Sequence, residues 1–245
     1  MTDEAARRRG ARFWLAVALF PVAMVILLSL GTWQVQRLYW KEALIAEIET
    51  RRTAVPMEIA DVEAKVAVGE DVDYWAMRAS GRFLHDKERH FLATYDGQAG
   101  FYVYTPLQLA DGRYLFVNRG FVPYSDKAQQ TRTAGLVEGE QQVTGLARAR
   151  LYAKPGSLVP DNDPITNIFY WKDLGAMAAT VDLPSENVLP FFLDADATPV
   201  PGGLPKGGVT QIDLPNNHLQ YAVTWYGLAL ALAGVAIAAF VRRRV

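Results

Sequence analysis

The sequence predicts an α+β membrane protein: two transmembrane helices, one near each end, flank an extracytoplasmic antiparallel β-rich domain that carries one short helix and curls toward a barrel or sandwich. Three observations predict it. Two uncharged apolar runs, Phe13–Gly31 and Tyr221–Val241, are each close to the ~20 residues a helix needs to cross a bilayer. Arginines flank both runs on one side, Arg7, Arg8, Arg9 and Arg12 before the first and Arg242, Arg243 and Arg244 after the last. Between the runs lie short segments rich in β-branched and aromatic residues, separated by turn residues.

The first run, 13–31, tolerates Pro21 because membrane helices accommodate proline. Ser29-Leu30-Gly31 offers small residues for signal-peptide cleavage, but the run exceeds the ~7–15 residue core of such a peptide. The basic clusters put residues 1–12 and 242–245 in the cytoplasm and residues 32–220 outside. Asp3 and Glu4 do not suit a mitochondrial transit peptide, so the expectation is a two-pass protein of a bacterial inner membrane with a periplasmic domain.

Helical character continues past the first span. In Thr32–Arg52, Leu38, Leu44, Ile45 and Ile48 keep near-helical spacing, and Glu47 and Arg51 form an i,i+4 pair. The helix is expected to end before Pro56, with a weak amphipathic stretch at Ile59–Val68. Strands are expected at Tyr74–Phe83, Glu88–Tyr95, Phe101–Leu109, Arg113–Phe121, Gln142–Arg148 and Val188–Leu193, with a further candidate at Val209–Leu214. Asp111-Gly112 marks a hairpin between the third and fourth. Asp173–Thr180 reads as the short helix, with Asp173 at its start, and Pro199–Gly208 as a loop. The last span occupies residues 221–241.

Composition excludes several chemistries. With the seven arginines and two acids that flank the spans set aside, 18 of the 25 basic and 24 of the 26 acidic side chains remain, a net charge of −6. Nucleic acid is not a partner for a domain of that sign. Without cysteine there is no disulfide, thiol redox chemistry, Fe–S ligation or thiolate copper site within the chain. No nucleophile–base set, phosphate loop or carboxylate pair stands at informative spacing, so no enzymatic reaction is expected.

The side chains that carry information gather at the membrane edges. His218, one of three histidines, precedes the last span behind Pro215, with Asn216 and Asn217 available to cap the helix. Residues His218, Tyr221, Ala222 and Trp225 share a helical face, and a small residue between aromatics leaves room for a flat ligand. Imidazole commonly holds haem iron. Equally, Tyr221, Trp225 and Tyr226 suit an interfacial aromatic belt, with His218 merely packing or capping; from the residues alone packing is the simpler reading. At the end of the first span Trp33, Arg37 and Trp40 stand at i, i+4 and i+7 beside Gln34. They form either a surface cation–π stripe or a seat for an anionic group. Gly227, Ala231, Gly234 and Ala238 form a small-residue ridge that would let the two spans approach. His85 and His90 have no cysteine and no third histidine nearby, so a zinc site is not expected. Asp161-Asn162-Asp163, with Asp173, reads more simply as a turn than as a calcium site, and Arg119 as one half of a structural ion pair.

Seven blocks together resemble the Surfeit locus protein 1 family of membrane-bound assembly factors of haem–copper terminal oxidases. They are Leu30–Arg37 with Trp40-Lys41, Gly81-Arg82-Phe83, Gly100–Leu107, Val117–Pro123, Pro160–Pro164, Trp171-Lys172-Asp173 and Asn216–Trp225. They occur in the family's order and cover all but the extreme termini. Phe121 stands where many relatives have tryptophan. The resemblance implies a role in maturing the catalytic subunit I of cytochrome c oxidase at the step where haem a enters, with haem a synthase as the supplier. It implies His218 as haem ligand, and it directs attention to Trp33, Gln34, Arg37, Tyr221 and Trp225 as surroundings of the cofactor. A scaffold without haem is the competing expectation, with the Val117–Pro123 segment as its contact.

Overall fold

The computed structural model describes residues 2–210, 212 and 214–244, with the side chains of 2–13, 16, 243 and 244 excepted. Of the arginines that flank the spans, all but Arg242 therefore lie outside the described side chains. In chain order the main elements are α1 (Thr2–Thr53), α2 (Ile59–Ala67), β1 (Ala76–Phe83), β2 (Arg89–Tyr95), β3 (Gln98–Gln108), β4 (Tyr114–Pro123), β5 (Glu140–Ala149), α3 (Leu174–Ala179), β6 (Val188–Ala195) and α4 (His218–Arg244). They divide into a helical unit, Met1–Glu47 with Asp213–Val245, and a β unit, Ile48–Ile212.

In the helical unit α1 runs unbroken through Pro21 and past Gly31, as the sequence predicts. Two helices, Val17–Thr53 and His218–Arg242, are long and apolar enough to span a membrane. Their apolar side chains face outward: Leu19, Val22, Val25 and Ile26 on α1, and Leu230, Val235 and Ile237 on α4, are all exposed. Water would penalise such a surface, whereas lipid matches it.

The β unit is a closed ring. Ladders join β1 to β5, β5 to β6, β6 to β4, β4 to β3, and β3 back to β1. β3 is long enough to use one edge twice, pairing residues 98–104 with β2 and Leu107 and Gln108 with β1. Gly81 makes the closure sterically feasible, since a Cβ there would lie 2.3 Å from the Gln108 carbonyl oxygen. The antiparallel expectation holds for every ladder except β4 with β6, which is parallel. A parallel neighbour needs a long crossover, and the chain between these two strands, which contains β5 and α3, supplies it.

Both faces of the sheet are covered, so β4 is buried almost continuously instead of alternately. On one face Met77, Leu107, Leu115, Val117 and Leu193 pack with Val62 of α2. On the other, Tyr104, Phe116 and Phe192 pack with Leu174 and Met177 of α3. Asp173 caps α3 by accepting from the Ala176 backbone N–H at 3.0 Å. The Asp111-Gly112 hairpin forms, with Gly112 at φ 84°. The Pro199–Gly208 loop is more ordered than its composition suggests: Lys206 exchanges two 2.9 Å backbone hydrogen bonds with Phe121. Val209–Leu214 is not a strand in its described residues, and Gln211 and Asp213 lie outside them.

Candidate functional site

The three histidines occupy different hydrogen-bonding environments, and the differences single out one of them. His90 is buried, its Nε2 3.0 Å from Glu88 Oε1 and its Nδ1 3.0 Å from Asn167 Nδ2. Glu88 can only accept and the amide N–H₂ only donate, so both ring nitrogens are committed. His85 is similarly engaged: Nε2 donates to Val137 O at 2.9 Å, and Nδ1 faces Arg119 at 3.3 Å. His218 has one nitrogen engaged. Its Nδ1 lies 2.7 Å from Gln34 Oε1, and no described residue bonds Nε2.

That hydrogen bond follows from the local sequence. Asn217 O accepts from Tyr221 N at 3.3 Å and Asn216 Oδ1 from His218 N at 3.4 Å, so α4 begins at the histidine. Gln34 is only 8% exposed, and an amide so placed needs a partner. Because Oε1 accepts, Nδ1 carries the proton and Nε2 presents its lone pair. Holding one ring nitrogen so that the other can bind metal is the usual arrangement for a ligating histidine.

Further contacts within this unit continue the pairing. Thr32 Oγ1 and Tyr226 OH lie 3.1 Å apart. Gly31 sits against the Tyr226 ring, where a Cβ would come within 2.9 Å. Ala222 and Ala229 are buried, and the indole Nε1 of Trp225 is buried with no described hydrogen-bond partner.

The structure therefore unites only some of the residues named from sequence. Gln34 and His218 meet, and Trp225 shares their side of α4. Trp33 and Tyr221 are each more than half exposed, unlike the buried Gln34, and Arg37 lies 3.7 Å over the Trp40 ring; none of the three has a described hydrogen bond to the histidine. Helical geometry explains it: Trp33 is one residue, hence 100° of rotation, from Gln34. The ridge Gly227, Ala231, Gly234 and Ala238 is exposed and does not mediate packing in this unit; Gly31, Ala222 and Ala229 do. The polar pair of Thr32 and Tyr226 has no sequence signal of its own: Thr32 stands within the first block, and Tyr226 directly follows the last.

In the β unit two readings change. Arg119 is buried but contacts no carboxylate among the described residues: it donates to Gly135 O, faces His85 and lies 4.9 Å over the Phe83 ring. Burial, with Glu88 opposing and Arg132 adding to it, pulls its pKa down to about 10. The ion pair belongs to Arg132, which bonds Glu88. Val117–Val122 is buried, paired with β3 and, at Val117 and Asn118, with β6, so of the Val117–Pro123 segment only Pro123 keeps partial exposure for a contact. Asp163 accepts from Ile165 N, Thr166 N and Thr166 Oγ1, the pattern of a turn.

The SURF1 family model matches residues 21–230, from within the first apolar run to within α4. Surfeit locus protein 1 of Xenopus tropicalis is 38% identical over 248 residues, covering 94% of this chain and 76% of that protein. The Homo sapiens protein of the same name is 38% identical over 234 residues, 87% and 74% of the two chains. A SURF1-like protein of Monosiga brevicollis is 36% identical over 254 residues, 98% and 91% of the two.

Proposed function

The chain belongs to the SURF1 family, and on that premise we propose that it is a membrane-anchored assembly factor for haem–copper cytochrome c oxidase that binds haem a through His218 and assists its insertion into subunit I. The observation that carries this reading is the 2.7 Å hydrogen bond from His218 Nδ1 to Gln34 Oε1, which leaves Nε2 without a described partner.

The residues fit the cofactor. His218 would hold haem a, whose iron would supply a coordination site for a neutral imidazole. Gln34 fixes the tautomer that presents Nε2, and the buried Trp225 N–H would gain an acceptor from the bound group. The protein acts by holding and releasing cargo, not by turnover. A single protein ligand backed by a neutral amide, instead of a carboxylate, keeps the imidazole a weaker donor and so favours release. Its partners in this role are subunit I, haem a synthase and membrane lipid. The basic clusters favour cytoplasmic termini and a periplasmic β unit in a bacterial inner membrane.

One observation favours a second reading, a scaffold that binds no haem. Trp33, Arg37 and Tyr221 have no described hydrogen bond to His218, and Gln34–His218 is also what a polar clamp between helices looks like. Both readings are tested by purifying the protein from cells that make haem a and recording its absorption spectrum beside that of His218→Ala. We expect a haem spectrum in the wild type and its near-complete loss in the variant. A coloured variant with an unchanged haem-to-protein ratio removes the ligand role, and a colourless wild type favours the scaffold.

A further inference from the structure

The β unit contains a second site, unrelated to the histidine. A cavity of about 200 Å³ opens among residues of β2 to β6 and the Trp171-Lys172 segment. Its polar groups are unbalanced. Asp194 is the one carboxylate among the described lining residues, and both its oxygens are engaged: Oδ1 accepts from Asn118 Nδ2 at 3.1 Å and Oδ2 from Thr210 Oγ1 at 2.8 Å. Arg148 is held from behind by charge and ring contact, its Nε 3.2 Å from Asp73 Oδ1 as an ion pair without a described hydrogen bond and its guanidinium 4.2 Å over the Tyr74 ring.

Lys172 is not tethered. Its ammonium has no hydrogen bond or ion pair among the described residues and lies 5.7 Å from the Phe192 ring. Burial depresses its pKa, with Asp194 acting against this and Arg148 with it. The hydroxyls of Tyr102 and Tyr104 also lack described partners, and burial, then Asp194, pushes both phenol pKa values up, which keeps the protons on and the groups as donors. The cavity thus offers an ammonium and two hydroxyl donors that a ligand must satisfy with acceptor atoms and a negative charge.

Shape narrows the class. Phe91 and Tyr102 lie parallel, 4° apart with ring centroids 6.2 Å apart, and form an aromatic wall. A cavity of about 150 Å³ holds one benzene ring, so this one has room for a ring and one small anionic substituent. We infer that the cavity binds a small aromatic carboxylate, its carboxylate paired with Lys172 and bonded by the tyrosine hydroxyls, its ring against Phe91 and Tyr102.

The test is titration of the detergent-solubilised full chain with benzoate, followed by saturation-transfer NMR and by thermal unfolding. Wild type should bind saturably and gain thermal stability. Lys172→Met should bind about tenfold or more weakly, and Lys172→Arg should retain binding. Tyr102→Phe, which keeps the ring, should weaken binding by a smaller factor and serves if Lys172→Met does not fold. Inorganic phosphate should not displace benzoate. The proposal is overturned if folded wild type shows no saturable binding, if the folded Lys172 and Tyr102 variants bind as wild type does, or if phosphate competes as well as benzoate itself.

Discussion

His90 and His218 show what separates a structural histidine from one available to a ligand. In the β unit His90 lies between an amide donor and a carboxylate, both ring nitrogens used and the side chain 6% exposed. Its neighbour Glu88 also bonds Arg132, which in turn donates to Asp126 O and Lys127 O. The cluster ties the segment after β4 to β2. In the helical unit His218 is half-buried and uses one nitrogen, on a neutral amide. The two differ in burial as well, but what leaves a nitrogen open to a ligand is the count of committed nitrogens.

The contrast breaks most visibly in the β unit. Arg132→Met leaves Glu88 buried without its cation, and removing one partner of a buried pair costs about 3–5 kcal/mol. Chemical denaturation should register that loss, and hydrogen exchange should show faster opening of residues 124–135. Haem retention per folded molecule should stay at the wild-type level. A parallel fall in haem would mean that this cluster, too, serves the cofactor.

The second prediction sharpens the role of Gln34. Partners that orient a ligating histidine typically change metal affinity 10–100-fold when removed. Gln34→Leu preserves volume and removes the acceptor. It should lower haem retention by about that factor, less than His218→Ala, while the far-UV circular dichroism stays unchanged. Retention equal to wild type would reduce Gln34 to a packing residue.

The third compares two glycines. A methyl group at Gly31 meets the Tyr226 ring at 2.9–3.1 Å, while one at Gly227 meets nothing within 4 Å. Overpacking costs about 1–3 kcal/mol, so thermal unfolding in detergent should shift down for Gly31→Ala and not for Gly227→Ala. The reverse order would restore the α4 ridge as the packing face.

The same glycines show where sequence legibility stops. Both spans, the long α1, the Asp111-Gly112 hairpin and six of the strands were readable, because apolar runs, helical spacing and turn residues are local signals. Barrel closure was not, since it depends on two residue pairs between β1 and β3 far apart in sequence. The parallel β4–β6 ladder was equally hidden, because a crossover has no local signature. At the site, His218 and Gln34 were identifiable as members of two terminal blocks, but their rotation about each helix was not. A one-residue step turns a side chain by 100°, enough to send Trp33 outward while Gln34 turns in. A ridge of small residues reads the same whether it faces a partner helix or not.

The smallest expected effect is in pH. For His85 burial is the leading cause of a lowered pKa, the Val137 hydrogen bond opposes it and Arg119 adds to it. For Glu88 burial acts to raise the value, but the His90 hydrogen bond and Arg132 together outweigh it and the carboxyl ends below its usual range. Both groups release protons more readily in the folded state, so the unfolded chain binds more protons and stability falls with acid. The His85 contribution is complete above the ordinary 6.5 and is lost as pH drops through its lowered folded value. The Glu88 contribution is complete above 4.5 and is lost below that. Melting temperature should therefore decline in two stages on acidification. His85→Gln, which can still donate to Val137 O, should flatten only the upper stage. If that stage survives the substitution, it belongs to another group, and the contrast between committed and available histidines loses its titrating member.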